Sequence, residues 1–433
     1  MVKSLLIYLF LYFLTYDCAC LFHKGDFMLI TFICLFICLY ALPSIILALL
    51  QIRHIKLELH KPAILLESED YKQAGDYAIA SLRLSILTHL FEILTFSLWA
   101  VFGLKFLSLW LEHILSGFSS IWQEIALVLA FVIIGSIIEL PFAIYKTFFL
   151  DKKFGFSKQT PSLFIIDTLK SLALSVVIGG IIICLLVLII ENIALWWFVG
   201  FVALLGVVIL ANLIYPTLIA PLFNKFTPLN DENLKSRIES LMNSIGFKSN
   251  GIFIIDASRR DGRLNAYFGG LGKSKRVVLF DTLLDKISAD GLIAILGHEL
   301  GHFKHKDIFK NIVLMACMLF VLFFIVGHLP ESLFSTLGLV QNGAGVLLIM
   351  LLISPVVGFF FLPIIGYFSR KAEYAADEFG ANLSSKNCLA NALVRLVNEN
   401  KSFPSSHPAY IFFYYTHPPL LQRLKALDYD PHH

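Results

Sequence analysis

Two histidines four residues apart, His298 and His302, lie in the segment G-H-E-L-G-H. On an α-helix, residues with this spacing share one face, so both imidazoles can bind one metal ion. Glu299 is rotated about 100° around the axis from the first histidine, which places its carboxylate beside the metal. The pattern predicts a zinc site in which Glu299 is the general base toward a water molecule. A helix with two surface histidines is the alternative that so short a motif leaves open.

The residues around the motif have helical periodicity. Apolar side chains recur at helical spacing from Leu283 to Leu296, Asp281 and Thr282 are suitable caps, and the next proline is Pro330. We therefore expect one helix to carry the motif and to continue into the membrane segment that follows it.

A catalytic zinc usually takes three protein ligands and leaves one position for water. The pattern H-E-x-x-H-x-x-G-x-x-H is excluded, because its last histidine position holds Ile308. His305 is disfavoured, since one helix rarely supplies three ligands to a tetrahedral metal. Glu373 is the better candidate: Asp377 lies four residues later on the same helical face and can accept a hydrogen bond from a ligand histidine. A salt-bridged residue near the end of a membrane segment is the alternative for Glu373.

The composition indicates a membrane protein. Hydrophobic residues make up 58% of the 433 residues and charged residues 15%, with a mean hydropathy of +0.79, whereas soluble domains contain about 25% charged residues. The net charge of +3 gives no reason to expect a nucleic-acid partner. The seven cysteines form no C-x-x-C pair, so neither a disulfide framework nor a cysteine-ligated zinc site is indicated.

Seven apolar segments are long enough to cross the bilayer. They are Met28 to Leu50, Leu84 to Leu111, Ile125 to Tyr145, Leu172 to Ile190, Ile193 to Ile214, Ile312 to Val326 and Val346 to Phe368. The loops after the first and third segments contain Arg53, Lys56, Lys61, Lys72, Lys152, Lys153, Lys158 and Lys170, whereas those after the second, fourth and sixth contain no Lys or Arg. Because positive charge accumulates in cytoplasmic loops, the zinc motif and the tail after Phe368 are expected on the cytoplasmic side.

This count predicts three regions. Residues 1–27 form an N-terminal extension, whose apolar run is an extra membrane segment, a signal-like run or a consequence of start-codon choice. Residues 28–220 form a five-helix membrane domain, and residues 221–433 form a zinc-protease domain with two further membrane helices, 312–326 and 346–368. Glu92 and Glu139 lie inside predicted spans, where they line a polar cavity or pair with a neighbouring helix such as the one carrying Asn212.

A small α+β unit precedes the motif. Asp231 is a suitable cap for an amphipathic helix, residues 251–255 have the composition of a strand, and residues 265–268 and 276–280 are predicted to form a hairpin.

Several longer segments match one known family. They are G-H-E-L-G-H, S-R-K-A-E-Y-A-A-D, F-G-F-S-K-Q-T, Y-P-T-L-I-A-P-L-F-N-K-F, N-A-Y-F and T-H-P-P-L-L-Q-R-L. From Met28 onward the chain resembles the integral-membrane zinc endopeptidases of the CAAX prenyl protease type 1 family. The resemblance implies a polytopic α-helical protein, in which about seven transmembrane helices enclose a chamber and a small α+β zinc-protease domain lies at the cytoplasmic face.

The resemblance also implies residue roles. It makes His298, His302 and Glu373 the ligands of one Zn²⁺ ion per chain and Glu299 the catalytic base. Asn265 resembles the family residue that holds the substrate backbone, and His417 the histidine that stabilises the oxyanion. Arg423 lies in the same C-terminal motif as His417, and we assign it, with Asp377, to the residues that support the metal ligands.

The expected function is a membrane-embedded zinc endopeptidase, with release of the C-terminal tripeptide of prenylated proteins as the family activity. Its partners are then the lipid bilayer and a peptide or membrane-associated protein substrate. The expected location is the endoplasmic reticulum membrane in a eukaryote or the inner membrane in a bacterium, where clearance of membrane proteins is the alternative activity. A transporter with a structural zinc is disfavoured, because structural sites normally have four protein ligands.

Overall fold

A computed structural model describes residues 24–270 and 275–429. Most of the predicted N-terminal extension lies outside these residues. Within them, seven helices are long and apolar enough to cross a membrane, which confirms the predicted number. In chain order these helices are α1 (Gly25–Glu58), α2 (Ser68–Ile114), α3 (Ser120–Lys153), α4 (Pro161–Asn192), α5 (Trp196–Phe223), α9 (Asp307–Gly327) and α11 (Gly343–Leu383).

Several of these helices extend well beyond the bilayer. Helix α2 has 47 residues and α11 has 41, so at 1.5 Å per residue they are roughly 60–70 Å long, about twice the thickness of the hydrocarbon core. The extra turns of α11 matter most for function, because they carry Glu373 and Asp377.

The polar part of the chain contains a small sheet and short helices. Its elements are β1 (Phe226–Pro228), α6 (Glu232–Ser244), β2 (Ile252–Ile255), β3 (Ala266–Gly269), β4 (Arg276–Phe280), α7 (Asp281–Leu284), α8 (Ala289–Lys304), α12 (Lys386–Glu399), α13 (Pro408–Tyr414) and α14 (Leu420–Ala426). The short helix α10 (Glu331–Thr336) instead lies in the connection between membrane helices α9 and α11. The strand order is β1-β2-β4-β3. The β3–β4 hairpin is confirmed as an antiparallel pair, and Asp231 caps α6 through the amide of Leu234 at 3.0 Å.

A hydrophobic core joins this sheet to α6 and α8. The fully buried side chains of Ile238, Leu279, Leu296 and Leu300 contribute to it. Leu296 and Leu300 lie on the same helix, α8, as the two motif histidines. The core therefore holds one face of α8, and the face that carries His298 and His302 stays free to form the site.

Two details of the predicted motif helix are wrong. Helix α8 begins after Ser288, whose hydroxyl accepts from the amide of Gly291 at 3.2 Å, whereas Asp281 belongs to the separate short helix α7. Helix α8 also does not continue into the membrane: Lys306 adopts a left-handed conformation with φ 57°, and α9 begins at Asp307. A left-handed residue cannot continue a right-handed helix, so the chain changes direction here.

Small residues let α8 and α11 approach closely. A side chain added at Gly301 would place its Cβ 2.8 Å from the Cα of Ala376, and one added at Gly380 would place its Cβ 2.7 Å from the backbone nitrogen of His298. Because Cβ atoms are not found this close to backbone atoms, glycine is required where the helices cross. This crossing brings the motif histidines to the ligand candidate on α11.

A partly open cavity of about 330 Å³ lies between membrane helices and α13, and its lining includes Tyr40, His89 and Tyr414. Glu92 lies beside it, with Oε2 2.8 Å from His89 Nδ1 and 3.3 Å from the Tyr40 hydroxyl. The contact with Tyr40 confirms, for Glu92, the predicted pairing with a neighbouring helix. The helix given as the example is not the partner, since the Asn212 side chain donates to the carbonyl of Val208 on its own helix. Glu92 is therefore held by its own helix and by α1.

Candidate active site

Side chains from α8 and α11 converge on a group of three candidate metal ligands, His298, His302 and Glu373, whose ligand atoms lie within 4.8 Å of one another. The Nε2 atoms of the two histidines are 3.2 Å apart. Glu373 Oε1 is 3.2 Å from His302 Nε2, and its Oε2 is 3.6 Å from His298 Nε2.

These distances fit a tetrahedral zinc ion. Ligand atoms that each lie about 2.0–2.1 Å from zinc are separated by roughly 3.3–3.4 Å along a tetrahedral edge. In addition, Glu373 is 3% exposed, and its Oε2 has no hydrogen-bond partner among the described residues. Arg423 Nη1 lies 3.3 Å from this oxygen but makes no hydrogen bond to it. A bound cation would supply the direct partner that the buried oxygen lacks.

Each of the two candidate ligand histidines has a carboxylate close to its Nδ1 atom. Asp377 Oδ1 lies 2.8 Å from His298 Nδ1, and Asp307 Oδ2 lies 3.0 Å from His302 Nδ1. Carboxylates in these positions favour a proton on Nδ1 and leave the Nε2 lone pairs free to bind a metal. Both lone pairs then face the same point.

Arg423 contacts both Glu373 and Asp377. Its Nε and Nη2 donate to the two carboxylate oxygens of Asp377 at 2.8 and 2.6 Å, and Nη1 lies 3.3 Å from Glu373 Oε2. Asp377 and Arg423 are 1% and 8% exposed. A planar guanidinium forms such two-bond contacts with fixed geometry, so it orients the carboxylate that faces His298.

Glu299 lies on the cleft side of the candidate metal ligands. It lines a cleft of about 540 Å³ together with Asn265, His298, His417 and Arg423. Burial raises the pKa of Glu299, and the neighbouring imidazoles of His298 and His302 oppose part of that shift. A carboxyl group with this environment is suited to accept and return a proton.

The carboxylates around His302 change the pKa of its imidazole. Burial by itself lowers the pKa of its imidazole, but hydrogen bonds to Glu373 and Asp307 raise that pKa to about 9. In other words, the two carboxylates favour a positive charge at this position. A metal cation bound to Nε2 would take the place of that proton.

The other two predicted catalytic residues also border the cleft. His417 follows α13, and its Nε2 lies 3.3 Å from Glu373 Oε1. Asn265 immediately precedes β3, and its side-chain oxygen accepts from the amide of Ala266 at 2.9 Å. Five of the eight predicted site residues therefore line the cleft. The other three, His302, Glu373 and Asp377, are joined to them by contacts of 2.8–3.6 Å, and the roles of all eight stay predictions.

The loop that carries His417 is fixed from two sides. On α11, Arg370 donates to the carbonyl oxygens of Ile411 and Tyr415 at 3.1 and 2.6 Å. From α1, the buried Gln51 donates to the Ser406 hydroxyl at 2.9 Å, and this hydroxyl lies 2.5 Å from the hydroxyl of Tyr415. Since Tyr415 is two residues before His417, the first membrane helix helps to hold the loop that carries His417.

Sequence reasoning missed Asp307 as the acceptor for His302. No local pattern marks it, because its position depends on the left-handed residue before it. The alternative ligand His305 does not belong to the cluster, and its ring lies 6.1 Å from that of Phe379. His407 caps α13 and also lies apart from the cluster.

Comparisons with known families match nearly the whole described chain. The family model described as CAAX prenyl protease N-terminal, five membrane helices, matches residues 51–225. The model of Peptidase family M48 matches residues 228–430. The two matches together include every residue of the site.

Individual relatives agree with the family models. CAAX prenyl protease 1 of Saccharomyces cerevisiae is 38% identical over 323 residues, which cover 68% of this chain and 70% of the yeast protein. The CAAX prenyl protease 1 homolog of Dictyostelium discoideum is 35% identical over 377 residues, covering 83% and 87%. The crystal structure of S. mikatae Ste24p superposes with a TM-score of 0.83 at 29% identity, covering 94% of this chain and 99% of that one. This likeness confirms the predicted fold, a helical membrane protein with a chamber and a small α+β domain.

Proposed function

Because the chain belongs to the CAAX prenyl protease 1 family of membrane metalloendopeptidases, we propose that it cleaves prenylated peptide chains and releases their C-terminal tripeptide. The observation that carries this proposal is the converging group of His298, His302 and Glu373 beside an open cleft. In this proposal the three residues hold one zinc ion per chain, as membership of a metalloprotease family implies.

Zinc held there supplies a Lewis acid, which polarises the carbonyl group of the bond to be cleaved and makes an attacking water more acidic. The other tasks fall to protein groups. The Glu299 carboxylate takes the proton of the attacking water and delivers it to the amine that leaves. The His417 imidazole donates a hydrogen bond to the oxygen on which negative charge develops. Asn265 holds the substrate backbone next to β3.

The supporting residues act through the ligands. Asp307 accepts a hydrogen bond from Nδ1 of His302, and Asp377 Oδ1 lies 2.8 Å from Nδ1 of His298. In this proposal the two carboxylates keep the rings in one orientation. Arg423 fixes Asp377 in turn. None of these three side chains needs to touch the substrate.

We further place the active site on the cytoplasmic side of the membrane, in the endoplasmic reticulum if the host is a eukaryote. The basic loop between α3 and α4 touches the protease part of the chain: the amide of Lys158 donates to the Arg260 carbonyl at 3.1 Å. Arg260 also pairs with Asp167 near the start of α4, at 2.8 Å. These contacts support a topology in which the basic loops and the active site lie on the same side of the membrane.

The test uses the purified full-length protein in detergent. Its substrate is a peptide that ends in a farnesylated cysteine followed by three residues, and the same peptide without the farnesyl group is the control. We expect release of the intact tripeptide, detected by mass spectrometry, faster from the farnesylated peptide, and loss of release with a zinc chelator or with Glu299→Gln. Equal cleavage of both peptides would favour the alternative, general hydrolysis of membrane proteins.

A further inference from the structure

The chain that leads into β3 lies against the loop between the membrane helices α3 and α4. The two segments run antiparallel: Ser157 forms a bridge with Asp261, and the amide of Gly262 donates to the carbonyl of Phe156 at 2.8 Å. Asn265, the proposed contact to the substrate backbone, lies shortly after Gly262 in the chain. The membrane part of the protein therefore contacts the chain just before a proposed binding residue.

The side chain of Arg263 crosses this junction. One of its terminal nitrogens, Nη2, donates to the hydroxyl of Tyr77 on α2 at 2.6 Å and lies 3.3 Å from Oδ1 of Asp151 near the end of α3. The other, Nη1, donates to Asp261 at 2.6 Å. The guanidinium carbon also lies 4.1 Å from the centre of the Phe156 ring. Groups from two membrane helices and from the loop between α3 and α4 thus fix the guanidinium in place.

The membrane-side partners of Arg263 are themselves fixed. The hydroxyl of Tyr77 donates to Asp151 Oδ1 at 2.7 Å, and the carbonyl of Asp151 accepts from the amide of Phe156 at 2.8 Å. Asp151 and Phe156 are 8% and 3% exposed. Because a buried carboxylate is costly without a positive partner, and because a planar guanidinium binds such partners in a fixed geometry, Asp151 favours one position of Arg263.

The backbone between Arg263 and Asn265 has little freedom to absorb a displacement. The carbonyl of Arg263 accepts from the Thr282 hydroxyl at 3.0 Å. The amide of Leu264 donates to Asn400 Oδ1 at 2.8 Å, and Asn400 Nδ2 donates to the Leu264 carbonyl at 3.3 Å. A displacement of Arg263 would therefore be passed on to Asn265.

We propose that Arg263 is a positioning residue, through which the membrane helices α2 and α3 set the place of Asn265 in the active-site cleft; this inference rests on the proposed peptidase function. Among the described residues, Asn265 and Leu264 line the cleft and Arg263 does not, so Arg263 acts without touching the peptide. A misplacement of about 1 Å can cost a positioning group up to about 100-fold. Loss of the Arg263 contacts should weaken peptide binding and leave the candidate metal ligands unaffected.

The experiment measures peptide binding without cleavage, in the full-length Glu299→Gln protein. The ligand is a fluorescent peptide that ends in a farnesylated cysteine and three residues, and its Kd is measured by anisotropy. The proteins compared are the Glu299→Gln parent, Arg263→Met, Asn265→Ala and the double variant of the last two. Arg263→Met should raise Kd by roughly tenfold. In the Asn265→Ala background the same change should alter Kd by less than about twofold, because the side chain through which Arg263 acts is then absent.

Arg259→Met is the matched control, because it makes the same chemical change in the same segment. The Arg259 side chain is 61% exposed and pairs with Asp256, so its loss should leave Kd unchanged. Tyr77→Phe is a milder second variant that removes one hydroxyl on the membrane side of the junction. It should raise Kd by a smaller factor, again only when Asn265 is present, and zinc content should be the same in every variant.

Two results would overturn the inference. One is an unchanged Kd in Arg263→Met, and the other is an equal rise in Kd with and without the Asn265 side chain, which would mean that Arg263 supports the fold and does not act through Asn265. If Arg263→Met does not fold, the same comparison with Tyr77→Phe decides. The series is repeated with the unfarnesylated peptide: equal binding of both peptides would contradict the proposed function, while either peptide still measures the coupling between Arg263 and Asn265.

Discussion

The buried pair of Asp377 and Arg423 allows metal binding to be separated from folding. Asp377 makes two kinds of contact: Oδ1 lies 2.8 Å from the ligand His298, and both oxygens accept from Arg423 at 2.6–2.8 Å. Asp377→Leu removes both contacts and leaves the guanidinium, which is 8% exposed, without its main partner. The variant should therefore lose metal affinity and stability together.

The expected losses of metal affinity and of unfolding free energy differ in size. Removing a carboxylate behind a ligand histidine typically weakens metal affinity by about 10- to 100-fold, which corresponds to about 1.4–2.8 kcal/mol. Breaking a buried ion pair costs about 3–5 kcal/mol of unfolding free energy. Glu373 Oε2, at 3.3 Å, remains near Arg423, so we expect a value near the lower end of that range.

The double variant Asp377→Leu/Arg423→Met separates these effects. It removes both charges and fills their space with apolar side chains, which is often neutral for stability. The double variant should recover most of the unfolding free energy but keep the low metal affinity, because His298 still lacks its acceptor. Denaturant titration of chelated protein measures the first quantity without the stabilisation that bound metal adds, and competition with a zinc chelator measures the second.

Two results would refute this reasoning. A double variant that regains wild-type metal affinity would mean that the contact between Asp377 and His298 contributes nothing to the ligand. A single variant as stable as the wild type would mean that Arg423 does not depend on Asp377.

Three further outcomes are expected. Glu299→Gln should keep its zinc, measured by elemental analysis, while turnover falls by at least roughly 10²–10⁴-fold; loss of the zinc would instead make the carboxylate part of the metal site. Gly380→Ala should lower both zinc content and thermal stability, because its Cβ would lie 2.7 Å from the backbone of α8, whereas Gly358→Ala, with open space around it, should be tolerated; equal behaviour of the two variants would contradict the close crossing. In a cysteine-free background, cysteines placed at Lys306 and Ser335 should label from opposite sides of the membrane, and labelling from the same side would contradict the seven-span topology.

The parts of the site that could be predicted depend on helical spacing. His298 and His302 are four residues apart, as are Glu373 and Asp377, and a helix converts that spacing into a shared face whatever the rest of the fold does. The pairing of the two helices also had a local signal, since both lie close to the ends of apolar segments. For these residues, sequence and structure give the same constellation.

The features that the sequence did not predict depend on single backbone conformations or on contacts between residues far apart in the chain. The left-handed Lys306 separates α8 from α9 and brings Asp307 to His302, yet a lysine gives no sign that it will adopt this conformation. Asn400 and Leu264 are 136 residues apart, and an asparagine after a helix is an ordinary helix end. Periodicity carries no information about such contacts.

The charges of the site connect metal binding with the proposed base. Glu299, Glu373 and Asp377 contribute three carboxylates to the site, while Arg423 contributes a guanidinium and His302 an imidazole whose pKa is raised to about 9. These charges lie in a medium where they are weakly screened. Without a cation the cluster favours a proton: burial raises the pKa of Glu299, and the negative charge of Glu373 adds to that shift. A divalent cation at the candidate ligands would oppose this shift and lower the pKa of Glu299, because a nearby positive charge favours the ionised carboxylate. The candidate ligands and the proposed base therefore form one electrostatic unit.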